Sequence, residues 1–227
     1  KVRDPAFSDV PLDLIVSKEY ARQRFEFMKM TAPQQAPKAA YPGSNHVTVV
    51  DGDGNIASIL HSVMSLPWSN GLFVDGVQVW AGAAHFLRHL PPAGARGTCY
   101  FAPTIIFKDG KPVLTAGSPA VGLLPNIVQN TVNILDFGMD IEESVHRPRF
   151  GGPSIASIIN RTAQPKYAIE ADLDEAVRNE VESRGLGLDV CNPWNVHNGS
   201  YEGVRIDAEG TMTACADPRR AGKAQAV

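Results

Sequence analysis

The 227 residues are 44% hydrophobic and carry 21 Lys and Arg against 24 Asp and Glu, a net charge of −3 with a pI near 6.1. That is enough apolar material to bury a core as one domain or as a large part of one. The charge balance offers no basic stripe for nucleic acid, and no run of about 18 apolar residues offers a membrane span; Cys99, Cys191 and Cys215 are an odd set without the spacing of a disulfide framework or a zinc site.

The opening residues Lys1-Val2-Arg3-Asp4-Pro5 lack the pattern of a signal peptide and read as the interior of something longer, with the compartment left open between cytoplasm, periplasm and exterior. Ser17 is placed to cap a helix beginning Lys18-Glu19-Tyr20-Ala21 within a first segment, 1–30. Residues 31–43 hold three prolines and little that packs, so they read as a flexible linker. From Ser44 the composition changes to strand signals, and 44–227 reads as a second, larger segment.

Three hairpins are expected there: Val47–Val50 with Ile56–His61 across Asp51-Gly52-Asp53-Gly54-Asn55, Thr104–Phe107 with Val113–Ala116, and Gly203–Ile206 with Met212–Ala216. Two helices lie between them. Leu123–Phe137 carries Leu124, Ile127, Val128, Val132 and Leu135 and stops at Gly138, while Asp172–Arg184 places Leu173, Ala176, Val177 and Val181 on one face and stops at Gly185. Strands and helices come in blocks, which argues for an α+β arrangement of antiparallel sheets with covering helices.

The boundary Gly43-Ser44 carries the chemistry. A small residue before a hydroxyl residue, directly ahead of a strand, is the arrangement by which a self-cleaving precursor makes an N-terminal nucleophile. Cleavage gives Ser44 a free α-amino group, and such an amine titrates near about 7.7–8.0, so it can act as base for its own hydroxyl at neutral pH. This amine and hydroxyl call for no cofactor and no metal. His46 reads as a core histidine at the strand entry, and His85 and His89, at i,i+4 spacing without a third ligand, read as a solvated helix face.

Many segments resemble gamma-glutamyltransferase, an N-terminal nucleophile hydrolase. They include Asp4-Pro5-Ala6-Phe7-Ser8-Asp9-Val10-Pro11, Ser17-Lys18-Glu19-Tyr20-Ala21, Pro103-Thr104-Ile105, Gly117-Ser118-Pro119, Leu135-Asp136-Phe137-Gly138-Met139-Asp140, Pro148-Arg149-Phe150 and Asp217-Pro218-Arg219-Arg220. The resemblance implies a four-layer αββα sandwich of which this chain supplies about the C-terminal half. Residues 1–43 would then be the tail of a large subunit, Ser44 would open the small subunit, and the missing large-subunit segment would be the partner. It also implies that Ser44 takes the place of the family's nucleophilic Thr, and that Ser62 stands where a supporting Thr hydroxyl belongs. The backbone N–H groups of Ala120 and Val121 replace those of two oxyanion-binding glycines. Arg219 and Arg220 are expected to form structural ion pairs.

The departures concern the acyl pocket. Met64 replaces an Asn, Trp80 lies in the stretch that replaces an Asn-rich, Asp-containing segment, and Cys99-Tyr100 replaces paired serines. A site that hydrogen-bonds a polar substrate loses orders of magnitude when those partners go. With Asn45 at its edge, the pocket reads as more apolar, suited to a small amide or peptide-like substrate whose acyl part is not γ-glutamyl. Three activities fit: an amidase or acylase, a transpeptidase that passes the acyl group to an amine, and an unprocessed, catalytically silent homologue. The retained hydroxyl and the altered pocket favour the first, while the unbroken run through position 44 and the altered glycine pair add weight to the third.

Overall fold

The structure, a computed structural model, describes residues 6, 8–30, 44–62, 73–75, 77–78, 92–96, 101–120, 122–154, 157, 166–220 and 222–226. The chain falls into two compact units, one of residues 1–36 and 82–100 and one of 37–81 and 101–227. In the first, a short helix α1 (Leu12–Ile15) precedes α2 (Lys18–Met30). Ser17 caps α2 as its position suggests, its Oγ accepting from the Tyr20 N–H at 3.0 Å.

The second unit opens with β1 (Ser44–Val50) and β2 (Ile56–Ser62), an antiparallel hairpin that runs one residue further at the far end of β2, and three further at the start of β1, than the sequence signals. Asp51 closes its turn: Oδ1 accepts from the N–H of Asp53 and Asn55, and Oδ2 from the Asn55 side chain. These bonds hold its carboxyl below the usual range although it is fully exposed. After the short pair β3 (Phe73–Val74) and β4 (Val77–Gln78) come β5 (Thr104–Lys108), β6 (Lys111–Gly117), α3 (Leu123–Leu135) and α4 (Ile141–His146). The chain then runs through β7 (Phe150–Pro153), β8 (Tyr167–Glu170), α5 (Glu175–Ser183), β9 (Leu188–Cys191), β10 (Glu202–Ile206) and β11 (Met212–Ala216).

Strands β11-β10-β6-β5 form one antiparallel sheet, and strand alternation assigns its two faces. Leu114 and Ala116 of β6 join Ile127, Ile134, Ile141, Val145 and Tyr201 in the core under α3 and α4. Thr115 and Gly117 turn the other way, toward the β1–β2 hairpin. The Thr48 and Thr115 hydroxyls bond across that seam at 2.8 Å, and the His46 ring lies on Gly117, where a built Cβ would stand 2.2 Å from its Cδ2. Helix, sheet, hairpin is thus the layer order.

Three features depart from the sequence reading. The buried residues of α3 are Leu123, Asn126, Ile127, Asn130 and Ile134, whereas Leu124, Val128 and Leu135 are exposed. Two asparagines go inward because each finds partners: Asn126 donates to Ser118 Oγ at 2.7 Å, Asn130 donates to Asn126 Oδ1, and Ser144 donates to Asn130 Oδ1. Antiparallel pairing was expected throughout, yet β8 and β9 pair in parallel with α5 between them and β7 antiparallel at the edge. Strands of four residues leave little periodicity to read. Helix α5 begins later than expected, at Glu175, because Asp174 caps it by accepting from the Ala176 N–H.

Candidate active site at the start of the hairpin

Ser44 is the first residue of β1 and faces Ser62, the last residue of β2, in the strand register. The hairpin turn therefore sets the two hydroxyl residues side by side. Ser44, His46 and Thr48 share the inner face of β1 by alternation. Thr48 lies at Thr115 and His46 at Gly117, so the inner face of β1 runs toward the end of β6, after which the chain passes through Ser118 and Pro119 to Ala120.

Ala120 is buried and adopts φ 78°, the left-handed region that L residues other than glycine avoid. The backbone keeps a glycine-like turn although the residue is alanine, at a cost of about 1 kcal/mol. The preceding Ser118 anchors that turn: its hydroxyl accepts from Asn126 at 2.7 Å and from the Ser200 N–H at 3.3 Å. Gly199 is needed beside it, with φ 93° and a Cβ position only 2.4 Å from Asn126 Nδ2.

Two titratable groups follow on this face, His46 buried and Glu202 partly buried. His46 Nε2 is 2.8 Å from Ser58 Oγ, and burial lowers its pKa to about 4, so the ring is neutral at pH 7. This is the core histidine the sequence implies. Glu202, which the sequence left without a role, shares the face of Gly117 through the β10–β6 register and brings Oε2 to 3.7 Å from His46 Nδ1. Burial pushes the Glu202 carboxyl up to about 8 even though Ser200 donates a hydrogen bond to it.

Asn45 is exposed and leaves the opposite face of β1 from Ser44. Gly43, Met64, Trp80, Cys99, Tyr100 and Val121, with His85 and His89, lie outside the described residues.

The terminal motif divides its two arginines. Arg219 pairs with Glu170 and Asp217 and stacks on Trp194 at 4.8 Å, while Arg149 reaches Asp217 at 3.0 Å. Arg220 instead donates from Nη1 to the Ser44 carbonyl oxygen at 3.1 Å. Sequence reasoning missed that contact, since no spacing rule links positions 176 residues apart.

A helix layer, a sheet and a hairpin with a hydroxyl residue at its first position define part of the αββα sandwich of the N-terminal nucleophile hydrolases. The gamma-glutamyltranspeptidase family model matches residues 1–227, and the chain belongs to that family. It is 27% identical over 97% of its length to the glutathione hydrolase proenzyme of Bacillus subtilis (strain 168), covering 41% of that protein. It is also 27% identical over 99% of its length to the acylase ACY 1 proenzyme of Pseudomonas sp. (strain SE83), covering 40% of it. The chain thus spans about two fifths of these relatives. Gamma-glutamyltranspeptidase from Pseudomonas nitroreducens, solved with L-DON, superposes at a TM-score of 0.58 and 22% identity, over 80% of this chain and 98% of that one. The Bacillus anthracis transpeptidase CapD gives 0.57 at 18% identity, over 81% and 99%.

Proposed function

We propose that this chain is the nucleophile-bearing part of a precursor that cleaves itself at Gly43-Ser44 and then breaks an amide bond, with Ser44 as nucleophile. The observation that carries the reading is the placement of Ser44: first in β1, opposite Ser62, and on the face of β1 that packs against β6. The proenzyme names of the relatives support self-processing, and the acylase among them supports an acyl group other than γ-glutamyl.

In the precursor, Ser44 Oγ attacks the Gly43 carbonyl, the acyl group shifts from nitrogen to oxygen and frees the Ser44 amine, and water then hydrolyses the ester to the Gly43 carboxylate and the free Ser44 hydroxyl. In turnover the α-amino group takes the Ser44 proton as the hydroxyl attacks the substrate amide. The amine product leaves with that proton, and water hydrolyses the acyl-enzyme; an amine in place of water would give transfer. Ser62 supports the hydroxyl. The N–H groups of Ala120 and Val121 receive the developing oxyanion, since an amide donor requires a backbone in the right orientation and not a glycine. The remainder of the precursor completes the site, and Met64, Trp80, Cys99 and Tyr100 shape its acyl pocket.

Intact mass of the full-length precursor tests the assignment. A fragment beginning at Ser44 is expected from the parent and none from Ser44→Ala; cleavage at the same bond in Ser44→Ala would end it. The processed protein is expected to hydrolyse aliphatic or aromatic acyl nitroanilides at least about 100-fold faster than the γ-glutamyl nitroanilide.

A further inference from the structure

Arg220 holds a contact that the proposed acyl chemistry does not call for. Its half-buried guanidinium donates to the carbonyl of the residue whose hydroxyl and amine would do the work. Its neighbour Arg219 takes the ion pairs of the motif, so Arg220 is not needed for Glu170 or Asp217. Accepting Ser44 as nucleophile, we propose that Arg220 is its positioning residue: the guanidinium clamps the Ser44 carbonyl and holds a fixed positive charge beside the nitrogen that cleavage turns into the base.

The clamp matters because cleavage makes Ser44 a chain terminus. A strand end that has lost its preceding residue frays unless something ties it down, and a charge-assisted hydrogen bond to its carbonyl does so without touching the hydroxyl or the amine. Both reacting groups stay free while the residue that carries them is fixed.

The charge matters through the amine. The nitrogen and carbonyl oxygen of one residue are within about 4 Å, which puts the guanidinium roughly 7 Å or less from the new α-amine. A like charge at that range disfavours the ammonium form, so more of the amine is free base at neutral pH. The other titratable groups described around this end of β1 do not cancel it. At pH 7 Glu202 is mostly protonated and His46 neutral, each by burial. Asp217 is engaged by Arg149 and Arg219, and His61, opposite Asn45, is on the outer face of the hairpin.

The test uses the full-length precursor as parent, Arg220→Lys, Arg220→Gln and Ser44→Ala. Two quantities are read by mass: the rate of cleavage at 43–44, and the pH midpoint for labelling of the Ser44-terminal fragment by a small sulfonyl fluoride. Arg220→Gln is expected to slow cleavage and to raise the midpoint by about one pH unit, with Arg220→Lys within a few tenths of the parent. If Arg220→Gln does not cleave at all, cleavage by Arg220→Lys upholds the clamp. A glutamine variant that cleaves and labels like the parent, or a lysine variant no better than glutamine, overturns the proposal. Cleavage or labelling at position 44 that persists in Ser44→Ala would instead remove the nucleophile reading on which it rests.

Discussion

Two buried polar clusters sit a few residues apart and solve the same electrostatic problem in opposite ways. Around Glu170, Asp217, Arg149 and Arg219 the charges stay and are paired. Burial opposes the Glu170 carboxylate, but the hydrogen bonds and charge of Arg219 overcome it and hold the carboxyl below its usual range. Each carboxylate also accepts from backbone: Glu170 from the N–H of Arg149 and Asn195, Asp217 from that of Tyr201. Around His46 and Glu202, burial outweighs the Ser200 hydrogen bond and the charges of Arg220 and Arg149 on Glu202, and both groups are mostly neutral at pH 7. The first cluster ties Pro148-Arg149-Phe150 to Asp217-Pro218-Arg219 and fixes the C-terminal turn. In the second, His46 shares the inner face of β1 with Ser44, and Arg220 brings its charge to the Ser44 carbonyl. Burial alone does not set ionisation; the presence of a bidentate partner does.

The largest effect should come from breaking the paired cluster. Glu170→Ala leaves Arg219 buried without its main partner, and a loss of about 3–5 kcal/mol is expected, read as a collapse of the chemical-denaturation midpoint. The acid dependence follows the same logic. Because Glu170 is depressed in the folded state, its contribution is present above pH 4.5 and is lost as pH falls below it. His46 adds to acid loss, since its neutral folded form is opposed by protonation as pH falls from 6.5 toward about 4.

The neutral cluster is sharpened by Glu202→Gln. A carboxyl raised to about 8 contributes stability that is full below pH 4.5 and is lost as pH rises toward 8. Glutamine has no proton to lose, so the variant should gain on the parent across that window, on the order of 1–2 kcal/mol by pH 8. Melting curves from pH 5 to 9 would show the gap widening; a constant gap would mean that Glu202 is ionised in the folded protein.

The smallest effect belongs to the turn between the clusters. Ala120→Gly relieves the φ 78° strain and should stabilise the protein by up to about 1 kcal/mol. A loss of stability would show that the alanine methyl contributes more in packing than its backbone costs.

Much of the framework was legible from local signals. The Asp51–Asn55 turn, the Ser17 cap, and the hairpins around Asp109-Gly110 and Asp207–Gly210 are all set by residues within five positions of each other. The capping pair Asp140 and Glu143 that starts α4 was visible in the same way and was overlooked. The inward face of α3 was not legible. Hydrophobicity points Leu124 and Val128 toward the core, but Asn126 and Asn130 belong there because Ser118 and Ser144 wait across the interface.

The sequence by itself determined where the strand begins, that a hydroxyl residue begins it, and, through the tight turn, that Ser62 stands opposite. Such features depend on backbone preferences and on spacings of two to four residues, which a chain carries wherever it folds. Only the tertiary structure decided that Glu202 would come within 3.7 Å of His46, that Ala120 would take a left-handed turn after β6, and that Arg220 would close on the Ser44 carbonyl. Those outcomes rest on desolvation and on donor–acceptor geometry between residues far apart in sequence, and neither exists until the hairpin has stacked on the sheet.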